Sequence, residues 1–430
     1  MALILSFGFD WTHQPYPIAP KISQQAFAMP LGAFLHNLDV TPETIKGTMP
    51  ITKGGTGAQD VNTARDNLGI NDDVTNLTIL IRDSLRQQVE VASGGEQTVL
   101  YTSKGQPTYM NIIQKYDMST VDPTLTGTHP AFIVDGVEKP EIFIGTYQGR
   151  VVGGELLSLP NVEPTHSTSF STFLNAARAN GVGHHLITNA EWSALALQCY
   201  KKNQQPLGNT YYGRSSEDPL LVGRRADGLN PGDTSGSART LTGSGPVEWR
   251  HNRKPSGIAD LAGNVWQWNA GVRLVNGEIQ IIADNNAALH TLNMDESSAN
   301  WRAIEGATGN LVAPNGNGTT VGTVKFANSG TADYTINGAS FGAIRNLSTT
   351  KPVSAAALAR LKSLCLYPHT DDIASYNGDY FAKEITGERV PFRGGGWSNS
   401  ALAGVFALSL ASVRTNTSTN IGARPAFVNL

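Results

Sequence analysis

Apolar positions recur in two different rhythms along the chain, and the change of rhythm divides it. A helical period runs through STFLNAARAN, residues 171 to 180, and stops at Gly181. A second helix is predicted to open at Thr188, with Glu191 in capping-box spacing before Trp192, Leu195 and Cys199. Period-two alternation marks QTVLYTSKGQPTYMNII (97 to 113) as a hairpin about Lys104 and Gly105, and FIVDGVEKPEIFIGTY (132 to 147) as another about Asp135 and Gly136. Upstream, Val74, Leu77, Ile81, Leu85 and Val89 fall on one helical face of residues 71 to 90. Three copies of that stripe could bury one another around a threefold axis, or the helix could pack on its own subunit.

The N-terminal 49 residues carry prolines at 15, 17, 20, 30 and 42, which break helices and favour extended segments. From Pro50, PITKGGTGAQDVNTARDNLGI passes from a glycine-rich loop to helical spacing at Ala58, Val61, Ala64 and Leu68. It lacks the Lys-Ser/Thr pair that follows the last glycine of a phosphate-binding loop. Residues 299 to 350 are rich in Gly, Asn, Thr and Ala, which fits an inserted loop or a small β excursion. The predicted division is therefore 1–49, 50–93, a small β connector at 94–130, and a large domain at 131–430.

Composition narrows the function classes. Charged residues are 16% of the chain and the net charge is −3, so no basic field exists to release counterions from nucleic acid. Only Cys199 and Cys365 are present, too few for a disulfide scaffold, and Cys199 at helical spacing from Trp192 reads as a core residue. No run is long and apolar enough to span a bilayer, and MALILSFGFDW is too short in its apolar part and lacks the basic start of an export signal, so a soluble chain that is neither Sec-exported nor inserted in a membrane is expected. His184 and His185 are neighbours on a strand, point to opposite faces and are predicted to be structural.

PITKGGTGA followed by Arg65, Asn67, Leu68 and Gly69 is similar to a short repeat in the tail fibres of tailed phages. That resemblance implies a virion protein at the distal tail fibre, made in the host cytoplasm. Residues 1–49 would then be its attachment segment, and 50–93 the repeat and oligomerisation helix. LITNAEWSALA (186–196), PLGN (206–209), GIADLAGNVWQWNAG (257–271) and RGGGWSNSA (393–401), in that order, resemble the formylglycine-generating-enzyme branch of the C-type lectin fold. The implied architecture is α+β: a loop-rich lectin-like domain of short antiparallel strands and two helices, preceded by small β and helical tail-fibre segments. Enzymes of that branch use a cysteine pair near the C-terminal motif, and residues 393–424 contain no cysteine. Cys365, in apolar LKSLCLY, is an inert thiol, so an oxidase of that type is the alternative and a non-enzyme the expectation. The family's Gly-Asn-Val-Trp-Glu-Trp motif is associated with calcium. Gln267 replaces that glutamate here, so Asn264 and Gln267 read as a hydrogen-bonded turn, with a weak calcium site as the other reading. No other cofactor is implied.

RGGGWSNSALAGVFALSLASVRTNTSTNIGARPAFV, residues 393–428, resembles the variable segment of proteins diversified by retroelements, phage tropism determinants among them. In such proteins a reverse transcriptase rewrites adenines, typically in AAC codons, giving Ser, Thr, Ala, Gly or Leu at variable positions. Gly396, Ser398, Asn399, Ser400, Leu402, Ser409, Ala411, Ser412, Thr415 and Ser418 carry residues of that set, and Lys, Glu, Gln and Met, which AAC cannot reach through adenine, are absent from 394 to 423. These ten are the candidate receptor contacts. Trp397, Val405, Phe406, Leu408, Leu410, Val413 and Ile421 are the expected core, Gly394, Gly395 and Gly422 the permissive backbone, and Arg393 and Arg424 the expected braces of backbone carbonyls. The resemblance implies a homotrimeric adhesin that meets a bacterial surface receptor, protein or glycan, together with other tail proteins. A purely structural tail protein is the remaining alternative.

Overall fold

The computed structural model describes residues 83–330 and 332–430, with 3–5, 63–64, 67 and 79–81. Most of the attachment segment and of the glycine-rich repeat lies outside the described residues, as do Val74 and Leu77 of the 71–90 stripe; Leu85 and Val89 fall in a helix, but Ile81 lies in a strand, so the expected helix over 71–90 does not extend back through it. Leu3–Leu5 and Ile79–Ile81 pair as parallel strands, in a unit separate from the body that contains Gln88–Leu430. Of the upstream helix, Ser84–Ser93 is described, and no side chain in it is buried.

The body is mixed α and β, with few helices and many short strands. In the helix Phe170–Ala179, Ser169 caps the N-terminus by accepting a hydrogen bond from Thr172 N, and Phe170, Phe173, Leu174 and Ala177 bury one face. Asn180 ends it, and its amide both donates to Leu156 O at 2.6 Å and accepts from Leu156 N at 2.9 Å, as a strand would. In Asn189–Lys201 the expected capping box of Thr188 and Glu191 is formed. That helix is buried nearly all round, so its periodicity is weak even though its ends are well marked. A further helix, Ala355–Ser363, goes beyond the expected two; it is capped by Ser354 and buries Ala357 and Leu361.

Both hairpins form. Asp135 and Gly136 take left-handed conformations (φ 51° and 73°), the backbone that a two-residue hairpin turn requires. The hairpin Gln97–Tyr101/Pro107–Gln114 corrects the expected boundary at 131. Its second strand pairs with Glu141–Gly145, so the supposed connector is the edge of a five-stranded antiparallel sheet. The C-terminal strand Pro425–Phe427 lies within that sheet, between Glu141–Gly145 and His184–Leu186. Its burial ties the chain end to the domain's first strands.

A larger sheet of twelve strands runs from the 325–346 region to Trp266–Trp268 and Ile421–Gly422. It is mainly antiparallel, with parallel pairs at Trp266–Trp268/Ile421–Gly422, Phe381–Lys383/Leu408–Ser412 and Lys325–Phe326/Thr335–Asn337. The 299–350 insertion is a β excursion: Arg302–Ile304, Leu311–Val312, Lys325–Phe326, Thr335–Asn337 and Arg345–Asn346 extend this sheet. Phe326, Ile336 and Phe341 bury into the main core, while Trp301 joins a second cluster with Trp266, Trp268 and Phe170.

Candidate functional site

Residues 393–428 enter the site as a strand end and leave it as the C-terminal strand, and both ends are pinned by buried arginines. Arg393, fully buried, donates to Asn189 Oδ1 at 2.7 Å and to Cys365 O at 2.9 Å. Arg424, also fully buried, donates to Gly145 O (2.7 Å), Ala259 O (2.7 Å), Asp260 O (3.1 Å) and Gln267 Oε1 (2.8 Å). Burial pushes both guanidinium groups down, to about 10 and about 9, still protonated at neutral pH. Arg414 is structural as well: it is paired with Glu388 at 2.6 Å, and its carbonyl accepts from Phe170 N.

Asn264 and Gln267 are consumed by the same frame. Asn264 donates to Gln148 Oε1 and Thr240 O, and its Oδ1 accepts from Thr240 N and Asn209 Nδ2. Gln267 donates to Asp260 O, and its own oxygen faces the Arg424 guanidinium. An oxygen already turned toward a cationic group is a poor calcium ligand, so these residues suit the hydrogen-bonded turn and not the metal.

Between the braces the backbone makes close approaches that admit no side chain. A Cβ on Gly394 (φ 93°) would lie 2.7 Å from Leu261 O, and one on Gly395 (φ 84°) would lie 2.4 Å from the Ala403 Cβ. Trp397 lies beneath the loop with Val265 and Ala238, its backbone N–H donating inward to Asn264 O, and the Arg239 guanidinium stacks 5.4 Å from its ring. Gly396 N donates to Asn399 Oδ1, closing a turn, and Ser400 adopts φ 51°. Phe406, Leu408 and Leu410 are fully buried. Asp379 holds the intervening bend, accepting from Phe406 N at 2.7 Å; burial pushes its carboxyl up to about 8.

The ten candidate contacts separate by burial. Ser398, Leu402, Ala411 and Thr415 are exposed, while Asn399, Ser400, Ser412 and Ser418 are half-buried. Gly396 and Ser409 are buried and cannot reach a partner in this conformation: Ser409 lies inside the sheet, opposite Phe392 and Ala382, and Gly396 lies under Trp266 and Asn420. Val413, expected in the core, is 41% exposed. The sheet strand ends at Ser412, one residue before it; beyond, through a turn closed by Asn416 N on Val413 O, exposed and half-buried residues alternate to 420, with Ala411, Val413, Thr415, Thr417 and Thr419 all exposed. The half-buried residues between them also bond locally, as Ser412 Oγ accepts from Asn416 Nδ2 and Ser418 Oγ donates to Asn420 Oδ1.

The remaining candidate chemistry is internal. Cys199 and Cys365 are buried free thiols, pushed up by burial to about 12 and about 11. His185 meets Glu191 at 2.8 Å, while His184 packs on the Phe427 ring, on the opposite face of the strand. Among the described residues no cluster of His, Cys, Asp and Glu has the geometry of a metal site, and no helix is long and apolar enough to cross a membrane.

No protein-family model and no curated protein sequence matches the chain. Among solved structures, the Major Tropism Determinant P3c variant and the U1 variant are similar to it, each at 12% identity with a TM-score of 0.27. Each match covers 76% of this chain and 65% of the neighbour, so it spans under two thirds of those proteins. Overlap that loose does not define a shared fold. Sequence reasoning missed the Tyr211–Arg214 turn, which packs against the segment; its signal was only the adjacency of YYGR to the PLGN motif.

Proposed function

We propose that the chain is a non-enzymatic receptor-binding protein of a phage tail fibre, and that its C-terminal segment is the adhesive face of a C-type lectin-like domain. The observation that carries this reading is the partition of residues 396–420. Large side chains and glycines fix the path inward, while small, uncharged side chains line the outside. Substitution at outward positions changes stability by less than about 0.5 kcal/mol, so identity there is free to follow the target. Ser398, Asn399, Ser400, Leu402, Ala411, Ser412, Thr415 and Ser418 are the proposed contacts retained from the sequence, with Val413, Thr417 and Thr419 added by the alternation.

Trimerisation through the segment before residue 94 would multiply weak single-site contacts on one bacterial surface, since linked sites gain avidity without new contacts. Retroelement diversification is the accompanying genetic reading. It requires a near-copy of the DNA for residues 393–430, with AAC codons at the exposed positions, beside a reverse transcriptase gene. The decisive test of function is adsorption to bacterial cells. Replacing Ser398, Leu402, Ala411 and Ser412 together with Asp places four charges on this face and is expected to abolish attachment with the fold intact. Unchanged attachment would refute the assignment.

A further inference from the structure

Residues 209–216 form a tight loop against the first half of the adhesive segment. Tyr211 N donates to Arg214 O at 2.8 Å and Arg214 N to Tyr211 O at 3.2 Å, closing a turn with Tyr212 (φ 48°) and Gly213 (φ 95°) at its tip. A left-handed backbone is costly for a bulky L side chain and persists only where the surroundings hold it. Here Tyr212 N donates to Trp397 O and Tyr212 O accepts from Gly232 N, both at 2.7 Å, and its ring packs on the cluster of Trp397, Val265 and Ala238. Ser400 N donates to Thr210 O at 2.9 Å, so the turn and residues 397–400 share one backbone seam.

The turn presents Tyr211. Its ring is half-exposed, set edge-on to Tyr212 at 5.3 Å, with the Arg214 guanidinium 5.2 Å from its centroid. Arg214 has no carboxylate partner among the described residues. The exposed residues of the neighbouring segment are small, and each covers little area. Binding energy at protein interfaces concentrates in a few Tyr, Trp and Arg side chains, and a Tyr held in place loses little rotamer entropy on binding.

We propose that Tyr211 and Arg214 form a fixed anchor of the receptor-binding face, positioned by Tyr212, and that the occupant is a protein surface offering an apolar pocket to the ring and a carboxylate to the guanidinium. This rests on the adhesive reading of the segment. Small sugars are gripped in concave sites. Two cavities in the body, of about 560 and 550 Å³, are lined by neither 209–214 nor 396–420.

The test measures the full fluorescent chain binding intact cells of a bacterial strain that it labels, before and after protease or periodate treatment, with thermal unfolding of every variant as the folding control. Tyr211→Ser is expected to weaken apparent affinity by at least ~30-fold, and Arg214→Glu by at least ~10-fold with a changed salt dependence. Tyr211→Phe keeps the ring and stays within ~3-fold of the unmodified chain. Protease, and not periodate, removes the binding. Should Tyr211→Ser unfold, Arg214→Glu and the ring-keeping variant still decide the matter. Binding within ~2-fold for Arg214→Glu and any folded Tyr211→Ser, while the fourfold Asp variant binds nothing, would overturn the anchor and leave the adhesive reading standing. Binding that survives the fourfold variant overturns both. Loss to periodate alone overturns the protein partner.

Discussion

Arg424 is the sharpest place to test whether the segment is framed as described. Arg424→Met removes four hydrogen bonds and leaves the hydrophobic stem roughly in place. Asp260 O keeps its bonds from Gln148 Nε2 and Gln267 Nε2, but Gly145 O, Ala259 O and Gln267 Oε1 lose the guanidinium in a fully buried setting. At roughly 1–3 kcal/mol for each orphaned acceptor, the gross loss is roughly 3–9 kcal/mol. Relief of burying an arginine with no directly paired carboxylate offsets part of it, leaving a net loss of about 3–5 kcal/mol. At about 2.1 cal/mol/K per residue, unfolding of a body of roughly 340 residues carries an entropy of about 0.7 kcal/mol/K, so the melting midpoint should fall by about 4–7 °C. Arg424→Lys keeps the charge but replaces a rigid fork with one ammonium, and should lose nearly as much. The assay is calorimetry of both variants. A drop below about 1 °C for Met, or full retention by Lys, would refute the bracing role.

The pH profile tests the buried titrating groups. Asp379, pushed up by burial from 3.8 to about 8, is protonated in the fold and ionised in the unfolded chain between those values, so stability rises as pH falls through that window. His129, His251 and His369, pushed down by burial to about 4, and His184, to about 3, are neutral in the fold but charge in the unfolded chain below 6.5, so stability falls from there toward pH 4. The melting midpoint is therefore expected to peak between about pH 6 and 7, and Asp379→Asn should flatten the alkaline limb; a midpoint still climbing from pH 7 to about 8.5 would contradict this. Cys199 and Cys365 should both resist an aromatic disulfide reagent in the native protein at pH 8 and both react in guanidinium, because burial pushes each thiol to about 11 or higher. Rapid labelling of either in the native state would show an opening that the packing does not contain.

Local signals survived the passage from sequence to structure, and long-range ones did not. Thr188 with Glu191 marked a helix start because the capping box is a contact between residues three apart. Asp135-Gly136 marked a hairpin because a turn needs only its own two residues. The role of residues 97–114 was illegible, since the partner strand begins at Glu141 and the sheet is completed only by the chain's last residues. Arg393 and Arg424 were readable as braces, because an arginine in a stretch of small and apolar residues must find acceptors to be buried at all. Which carbonyls they meet depends on Gly145, Ala259 and Cys365, far away in sequence.

Val413 shows why the proposed contact face was harder to read than its frame. It is aliphatic, follows the buried Leu408 and Leu410, and would be core if the strand pairing continued one residue out of phase. The pairing of Leu408–Ser412 with Glu388–Arg393 contains a register shift between Val390 and Phe392, and the strand ends at Ser412, which leaves Val413 beyond the sheet. From Ala411 to Thr419, through a turn closed by Asn416 N on Val413 O, every second residue is exposed, and the half-buried residues between them close hydrogen bonds among themselves. A face built this way has its geometry set by one sheet irregularity, two buried arginines and two glycines, none of which belongs to the exposed row. Its chemistry can therefore change residue by residue, while the Tyr211 turn, joined to it by backbone hydrogen bonds at Thr210 and Tyr212, keeps the same position beside it.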